Sequence, residues 1–204
     1  MAERVRAVLW DLGHTLVDWD PARVYRQLLS DAAAVEDFLG GVCTMEWHTE
    51  HDRGAPMAEN RKALIARFPE HRALIEAWEL RWEEMFDGWV TGMEALVSEL
   101  EAAGVPQYGL TNLPAEKWPH IQKTYPAIAR FADVVVSGEE KRVKPDPEIF
   151  SRTIERIDEP AQSVLFIDDR AENIRAGEQA GFIGHVFTSA GAARRAMRAH
   201  GLPV

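Results

Sequence analysis

Two short apolar runs each end in carboxylates: Ala7-Val8-Leu9-Trp10-Asp11 and Val164-Leu165-Phe166-Ile167-Asp168-Asp169. A continuous apolar run bounded by polar turn residues suits a strand buried on both faces, as in a parallel sheet. In such sheets ligands bind just beyond the carboxyl ends of the strands. That rule gathers Asp11, Asp168 and Asp169 into one crevice although they lie far apart in the chain. Three carboxylates within a few ångströms repel one another strongly at the effective dielectric near a protein surface. A cation is therefore expected, and an oxygen-only donor set favours a hard ion such as magnesium.

Outward from these runs the chain divides into two patterns. Residues 22–29, 33–39, 57–68 and 69–86 are helix-like, and no strand is expected between 22 and 90. Trp78, Trp82 and Met85 recur at the spacing of one helical face. Beyond Gly92 short apolar strands (105–110, 134–136, 164–167 and 183–187) alternate with helices, the signature of a parallel α/β sheet. The helical block is thus expected as an inserted cap over residues 18–90. The core is expected over 1–17 and 91–204, a three-layer α/β/α parallel-sheet fold of Rossmann type.

Each expected strand end carries a distinct chemical group. The first supplies Asp11, the second Thr111 and Asn112, and the one near the end of the chain Asp168 and Asp169. The loop Lys141-Arg-Val-Lys144-Pro-Asp-Pro147 adds a lysine before a proline-bounded helix start. Phosphoryl transfer needs a nucleophile, a metal, hydrogen-bond donors and a cation to neutralise charge, and all four are available here. A carboxylate nucleophile would form an aspartyl-phosphate.

The segments Asp11-Leu-Gly-His-Thr15, Leu110-Thr111-Asn112, Val143-Lys144-Pro-Asp-Pro147 and Phe166-Ile-Asp168-Asp169 resemble motifs I to IV of the haloacid dehalogenase superfamily. Their order and spacing match across nearly the whole chain, and the insertion after motif I is similar to the helical C1 cap of subfamily IA. The resemblance implies a magnesium-dependent phosphatase. Asp11 would be the nucleophile, and Asp11, Asp168, Asp169 and the Gly13 carbonyl would supply the metal ligands. Thr111 and Asn112 would hydrogen-bond the phosphoryl group, and Lys144 would balance its charge. The subgroup most similar in motif I includes an α-glucose-1-phosphate phosphatase, so a small phosphorylated metabolite, such as a sugar phosphate, is the expected substrate.

One departure from the family pattern concerns catalysis. Many phosphatases of the superfamily carry an acid two residues after the nucleophile, where this chain has Gly13. A glycine here also suggests that the position needs glycine's backbone freedom. His14 is either a solvent-facing loop histidine or the substitute proton donor, since imidazole titrates near neutral pH. Asn173 is read as a brace for the loop after Asp169. The stretch 47–54 is rich in groups that could face a substrate; a two-histidine metal site is conceivable there, but His48 and His51 lack the partnered spacing of a metal motif. The tryptophans of the insert read as cap core in preference to a sugar-stacking platform.

Composition sets the outer limits. Lysine and arginine number 23 against 33 acidic residues, a net charge of -10, which disfavours non-specific nucleic-acid or anionic-membrane binding. The lone Cys43 forms no intramolecular disulfide and suits a reducing compartment. With no apolar run of about 18 residues, a cytoplasmic protein is expected. The oligomeric state is not encoded in any pattern of the chain. Two rival functions remain: a metal-independent 2-haloacid dehalogenase, against which the paired Asp168-Asp169 argues, and a weakly active phospho-ligand-binding protein.

Overall fold

The computed structural model describes residues 5–204; residues 1–4, where the expected core segment begins, lie outside the described residues. The first apolar run forms strand β1 (Ala7–Trp10), with all four side chains fully buried. Next come β2 (Val17–Trp19), then helices α1 (Ala22–Leu28), α2 (Ala32–Gly41), α3 (Met45–Asp52), α4 (Met57–Arg67) and α5 (Arg72–Leu80), and then β3 (Phe86–Trp89). The alternating part follows as α6 (Met93–Ala102), β4 (Gln107–Thr111), α7 (Trp118–Thr124), β5 (Asp133–Val136), α8 (Ser137–Glu140) and α9 (Pro147–Arg156). It ends with β6 (Val164–Asp168), α10 (Ala171–Gln179), β7 (Ile183–Val186) and α11 (Ala190–Ala199).

Five strands form one parallel sheet in the order β5-β4-β1-β6-β7. Successive strand residues point to opposite faces. Ala7 and Leu9 join Phe150, Phe166 and Ile174 on one face, while Val8 and Trp10 join Leu96, Leu100, Ile121 and Met197 on the other. Helices therefore cover both faces, as the unbroken apolar strands require. Strand β1 is central, and chain order reverses direction beside it, which opens a crevice at the carboxyl ends of β1, β4 and β6. The polar groups of Trp10 and Gln107 within this core are paired: Trp10 Nε1 donates to Gln107 Oε1 (3.0 Å), and Gln107 Nε2 to the Val97 carbonyl (3.0 Å).

The helical insert departs from its sequence reading in three places. Residues 86–89 form β3, antiparallel to β2, so that Val17 faces Trp89 and Trp19 faces Phe86. This strand exists because β2 is beside it; Phe-Asp-Gly-Trp has little strand pattern of its own. Trp78, Trp82 and Met85 are all buried as their spacing requires. The α-helix nevertheless stops at Leu80, and Trp82–Met85 continues as a 3₁₀ turn. Residues 45–52 form α3, which has no apolar stripe because its inward groups are His48, His51 and Asp52. Thr44 caps its start by accepting from Trp47 N (3.1 Å). Its end closes as a Schellman turn, with Gly54 N bonded to the His51 carbonyl, Ala55 N to the Glu50 carbonyl, and Gly54 at φ +91°.

Helix α10 touches the sheet through Gly177, where an added Cβ would lie 2.6 Å from Phe166 Cδ1. The Phe166 ring is fully buried and held between Phe150 and Phe182. Gly→Ala in a helix interior ordinarily stabilises by about 1 kcal/mol, but overpacking costs about 1–3 kcal/mol. Gly177→Ala is therefore expected to be destabilising, as a lowered urea midpoint at unchanged slope; a raised midpoint would show that this interface yields.

Candidate active site

The sheet delivers the carboxylates to one point. Asp11 follows β1 directly, its N–H donating to the Ile167 carbonyl of β6 (2.9 Å). Asp168 closes β6 in complete burial, and Asp169 stands next to it, half-buried. One oxygen from each of the three lies within 4.8 Å of the others. Lys144 is buried among them, and its Nζ donates to Asp11 Oδ1 (2.6 Å), Asp168 Oδ2 (2.7 Å) and the Leu110 carbonyl (2.8 Å). An ammonium has three donors, so all are committed. Burial opposes the Lys144 charge, but Asp11 and Asp168 outweigh it and hold its pKa above the ordinary lysine value. Burial pushes the Asp11 carboxyl up to about 7, with Lys144 pulling it down and Asp168 adding to the rise. Burial and the neighbouring Asp168 also raise Asp169.

Neighbouring side chains hold this geometry. Thr15 Oγ1 donates to Asp11 Oδ2 (3.1 Å). Asp168 Oδ1 accepts from Arg170 N (2.8 Å) and Asn173 Nδ2 (2.9 Å), and Oδ2 accepts from Asn173 Nδ2 as well (3.0 Å). Asn173 is thus the brace its position suggested. Asn112 clamps the lysine loop: its Oδ1 accepts from Lys144 N (2.8 Å) and its Nδ2 donates to the Lys144 carbonyl (3.1 Å). Its amide thereby holds Lys144 in place, and both Asn112 and Thr111 beside it line the open space. Gly13 is not in the left-handed region, and a Cβ there would meet nothing within 4 Å. The left-handed residue is His14, at φ +59°, so the backbone strain expected at position 13 sits one residue later.

Above these groups opens a cavity of about 610 Å³. Asp11, Gly13, Thr111, Lys144 and Asp169 are among its polar lining; Leu12, Val17, Trp19, Met45, Trp82, Phe86 and Ile121 supply an apolar part of the wall, and Glu46 and Thr49 of α3 and Arg170 border it as well. His48 and Asp52 of α3 also face it. His48 stacks on Trp19 (5.3 Å between centroids), and His14 meets the edge of the same indole (6.0 Å). Burial holds His48 down at about 3 and His51 at about 4, so both rings are neutral. Trp78 is cap core as expected, whereas Trp19 and Trp82 border the cavity.

Residues 5–181 match the family model of haloacid dehalogenase-like hydrolases. The chain belongs to this family. The sesquiterpene phosphatase astK of Aspergillus oryzae is 24% identical over 190 residues, spanning 90% of each chain. Among solved structures, the HAD-hydrolase YfnB of Bacillus subtilis, bound to magnesium, aligns with a TM-score of 0.72 at 19% identity, over 98% of this chain and 100% of that one. The HAD family enzyme BT-2542 of Bacteroides thetaiotaomicron, in complex with magnesium and inorganic phosphate, aligns with a TM-score of 0.70 at 18% identity, over 91% and 95%. These likenesses establish the same α/β fold with a helical insert.

Two contributors escaped the sequence reading. Thr15 had a usable signal, since it stands four residues after Asp11 in the turn that follows β1. Asp52 had a weak one, since it belongs to the polar stretch 47–54 whose groups could face a substrate, but which of them does so depends on how the insert folds over the core. The most consequential group for stability is Lys144. Removing one partner of a buried ion pair leaves uncompensated charge and costs about 3–5 kcal/mol. Lys144→Met is expected to lose stability on this scale in chelator, measured by urea unfolding, with part recovered on adding magnesium. A loss below about 1 kcal/mol would mean the ammonium is not what holds Asp11 and Asp168 together.

Proposed function

We propose that this hydrolase is a magnesium-dependent phosphatase that cleaves a small phosphate monoester through an aspartyl-phosphate on Asp11. The observation that carries the proposal is the pairing of Asp11 and Lys144 at 2.6 Å, beside Asp169, in the lining of the cavity. Three carboxylate oxygens within 4.8 Å suit a hard divalent ion. Asp11 and Asp169 would hold it with the Gly13 carbonyl, while Asp168, whose oxygens already accept from Lys144, Asn173 and Arg170, contributes charge and position. When bound, magnesium would offset the negative charge of the phosphoryl oxygens.

The chain's own groups do the rest. An oxygen of Asp11 attacks phosphorus, and the bond to the leaving oxygen breaks. Lys144 balances charge on the phosphoryl group, and Thr111 donates a hydrogen bond to it. Asn112 acts at one remove by fixing the lysine loop. The core would comprise residues 1–17 and 91–204, and the cap 18–90, with the β2–β3 pair as the junction between them.

The cavity wall favours an apolar leaving group over a sugar, because a hexose would leave hydroxyls facing Val17, Met45, Phe86 and Ile121. The likeness to a sesquiterpene phosphatase supports the same preference. Among the described residues no helix is long and apolar enough to cross a membrane. The test is a panel of aliphatic, isoprenoid and sugar monophosphates, each assayed with magnesium and with excess chelator. Turnover is expected only with the metal, and best for the aliphatic and isoprenoid esters. Undiminished turnover in chelator would overturn the metal requirement, and a preference for sugar phosphates the apolar one. Asp11→Asn is expected to lower turnover by about a thousandfold or more; a loss within about tenfold would refute the nucleophile.

A further inference from the structure

Cleaving an alkyl phosphate leaves an alkoxide that needs a proton, and a positioned acid contributes about 10²–10⁴-fold to such a step. On the phosphatase reading above, the core side of the cavity has no such acid. Asp11 is the nucleophile, Asp169 faces the cation, and both oxygens of Asp168 are engaged. All three Lys144 donors are committed to Asp11, Asp168 and Leu110. Gly13 has no side chain to offer.

The insert side of the cavity does offer one. Asp52 is 5% exposed, faces the same cavity as Asp11 and Lys144, and its Oδ1 is buried without a hydrogen-bond partner. The nearest polar atom is His48 Nε2 at 3.6 Å, on an imidazole that burial keeps neutral. Asp52 is the last residue of α3, where the negative end of the helix dipole disfavours a carboxylate. Of the charged groups around it, Arg53 pairs outward with Glu50, and His51 on its own helix is neutral. From the core, Lys144 acts on it while neutralised by Asp11 and Asp168, and Lys141 packs against neighbouring Gly54. Burial dominates, pushing the Asp52 carboxyl up to about 8. At neutral pH it carries its proton.

Its place is fixed by a close approach of insert to core. A Cβ on Gly54 would lie 2.8 Å from the Gly138 carbonyl oxygen, and one on Gly138 would lie 2.4 Å from Ala115 N. Gly138 N in turn donates to the Leu113 carbonyl (3.1 Å), in the loop that follows Thr111 and Asn112. The end of α3 is thereby seated on the backbone that carries the phosphate-binding groups.

We infer that Asp52 is the general acid and base of this hydrolase. Its carboxyl proton passes to the bridging oxygen as the bond from phosphorus to that oxygen breaks and the bond from Asp11 to phosphorus forms, and the free alcohol leaves. The Asp52 carboxylate then takes a proton from the water that attacks the aspartyl-phosphate. That step releases inorganic phosphate, frees Asp11 and restores the acid.

The experiment compares the wild type with Asp52→Asn, Asp52→Glu and His14→Ala on 4-nitrophenyl phosphate and on an alkyl monophosphate, across about pH 5–9. Circular dichroism and magnesium affinity establish that each variant is folded. Asp52→Asn is expected to slow the alkyl ester about 100-fold or more and the aryl ester less than about tenfold, since nitrophenolate leaves without a proton. The acid form is the active one, so wild-type kcat/KM for the alkyl ester should fall as pH rises through about 8. That limb should vanish in Asp52→Asn, and Asp52→Glu should recover part of the rate. Equal slowing of both esters with the limb retained, or leaving-group dependence in His14→Ala instead, would overturn the assignment. Carbon-13 NMR of the Asp52 carboxyl judges it independently: titration near 4 overturns it whatever the activities. A wild type inactive on both esters would refute the phosphatase reading itself.

Discussion

Everything at this site depends on one buried ammonium. Lys144 Nζ sits between Asp11 and Asp168 and reaches back to the Leu110 carbonyl, tying β1, β4 and β6 together at their carboxyl ends. Desolvation of these charges would be prohibitive one by one; together they are tolerable because each ion has a partner at hydrogen-bonding distance. The balance is incomplete, since three carboxylates face one ammonium. The remaining two negative charges match a divalent cation, which is why the geometry reads as a metal site as well as an ion-pair network.

The ammonium can hold that position only because the surrounding chain is rigid. Strand β1 is buried on both faces and flanked by β4 and β6, so Asp11 emerges from the centre of the sheet. Asn112 grips the backbone of Lys144 on both sides of its Cα, through the N–H and the carbonyl. Asn173 and Arg170 N saturate Asp168 from the start of α10. The conserved quantity in this arrangement is orientation: few of these hydrogen bonds touch a substrate, yet each fixes a charge that would.

The cavity divides its work between two structural parts. The sheet end is densely charged and braced, whereas the insert contributes apolar side chains together with Glu46, His48, Thr49 and Asp52, of which Asp52 has a buried oxygen without a hydrogen bond. A carboxyl is pushed toward its neutral form by exactly the features that surround Asp52: burial, a helix C-terminus and neutral imidazole neighbours. Burial raises both carboxyls of the cavity, Asp11 to about 7 and Asp52 to about 8. Only Asp11 has an ammonium at hydrogen-bonding distance to draw it back toward ionisation.

The fold was legible in the sequence because a parallel sheet buries its strands on both faces, leaving continuous apolar runs that end where the ligand site begins. Ala7–Trp10 and Val164–Asp168 needed no tertiary information, and neither did the gathering of Asp11, Thr111, Lys144, Asp168 and Asp169 at their ends. Helix α3 and strand β3 were not legible. The helix turns polar residues inward, which inverts the pattern that periodicity detects, and the strand is stabilised by pairing with β2. Local sequence determined where the charged groups leave the sheet, because backbone geometry and burial are decided strand by strand. Only the tertiary structure decided which residue of the insert faces them. That contact arises from the packing of two glycines, Gly54 and Gly138, more than eighty positions apart, and no local pattern records it.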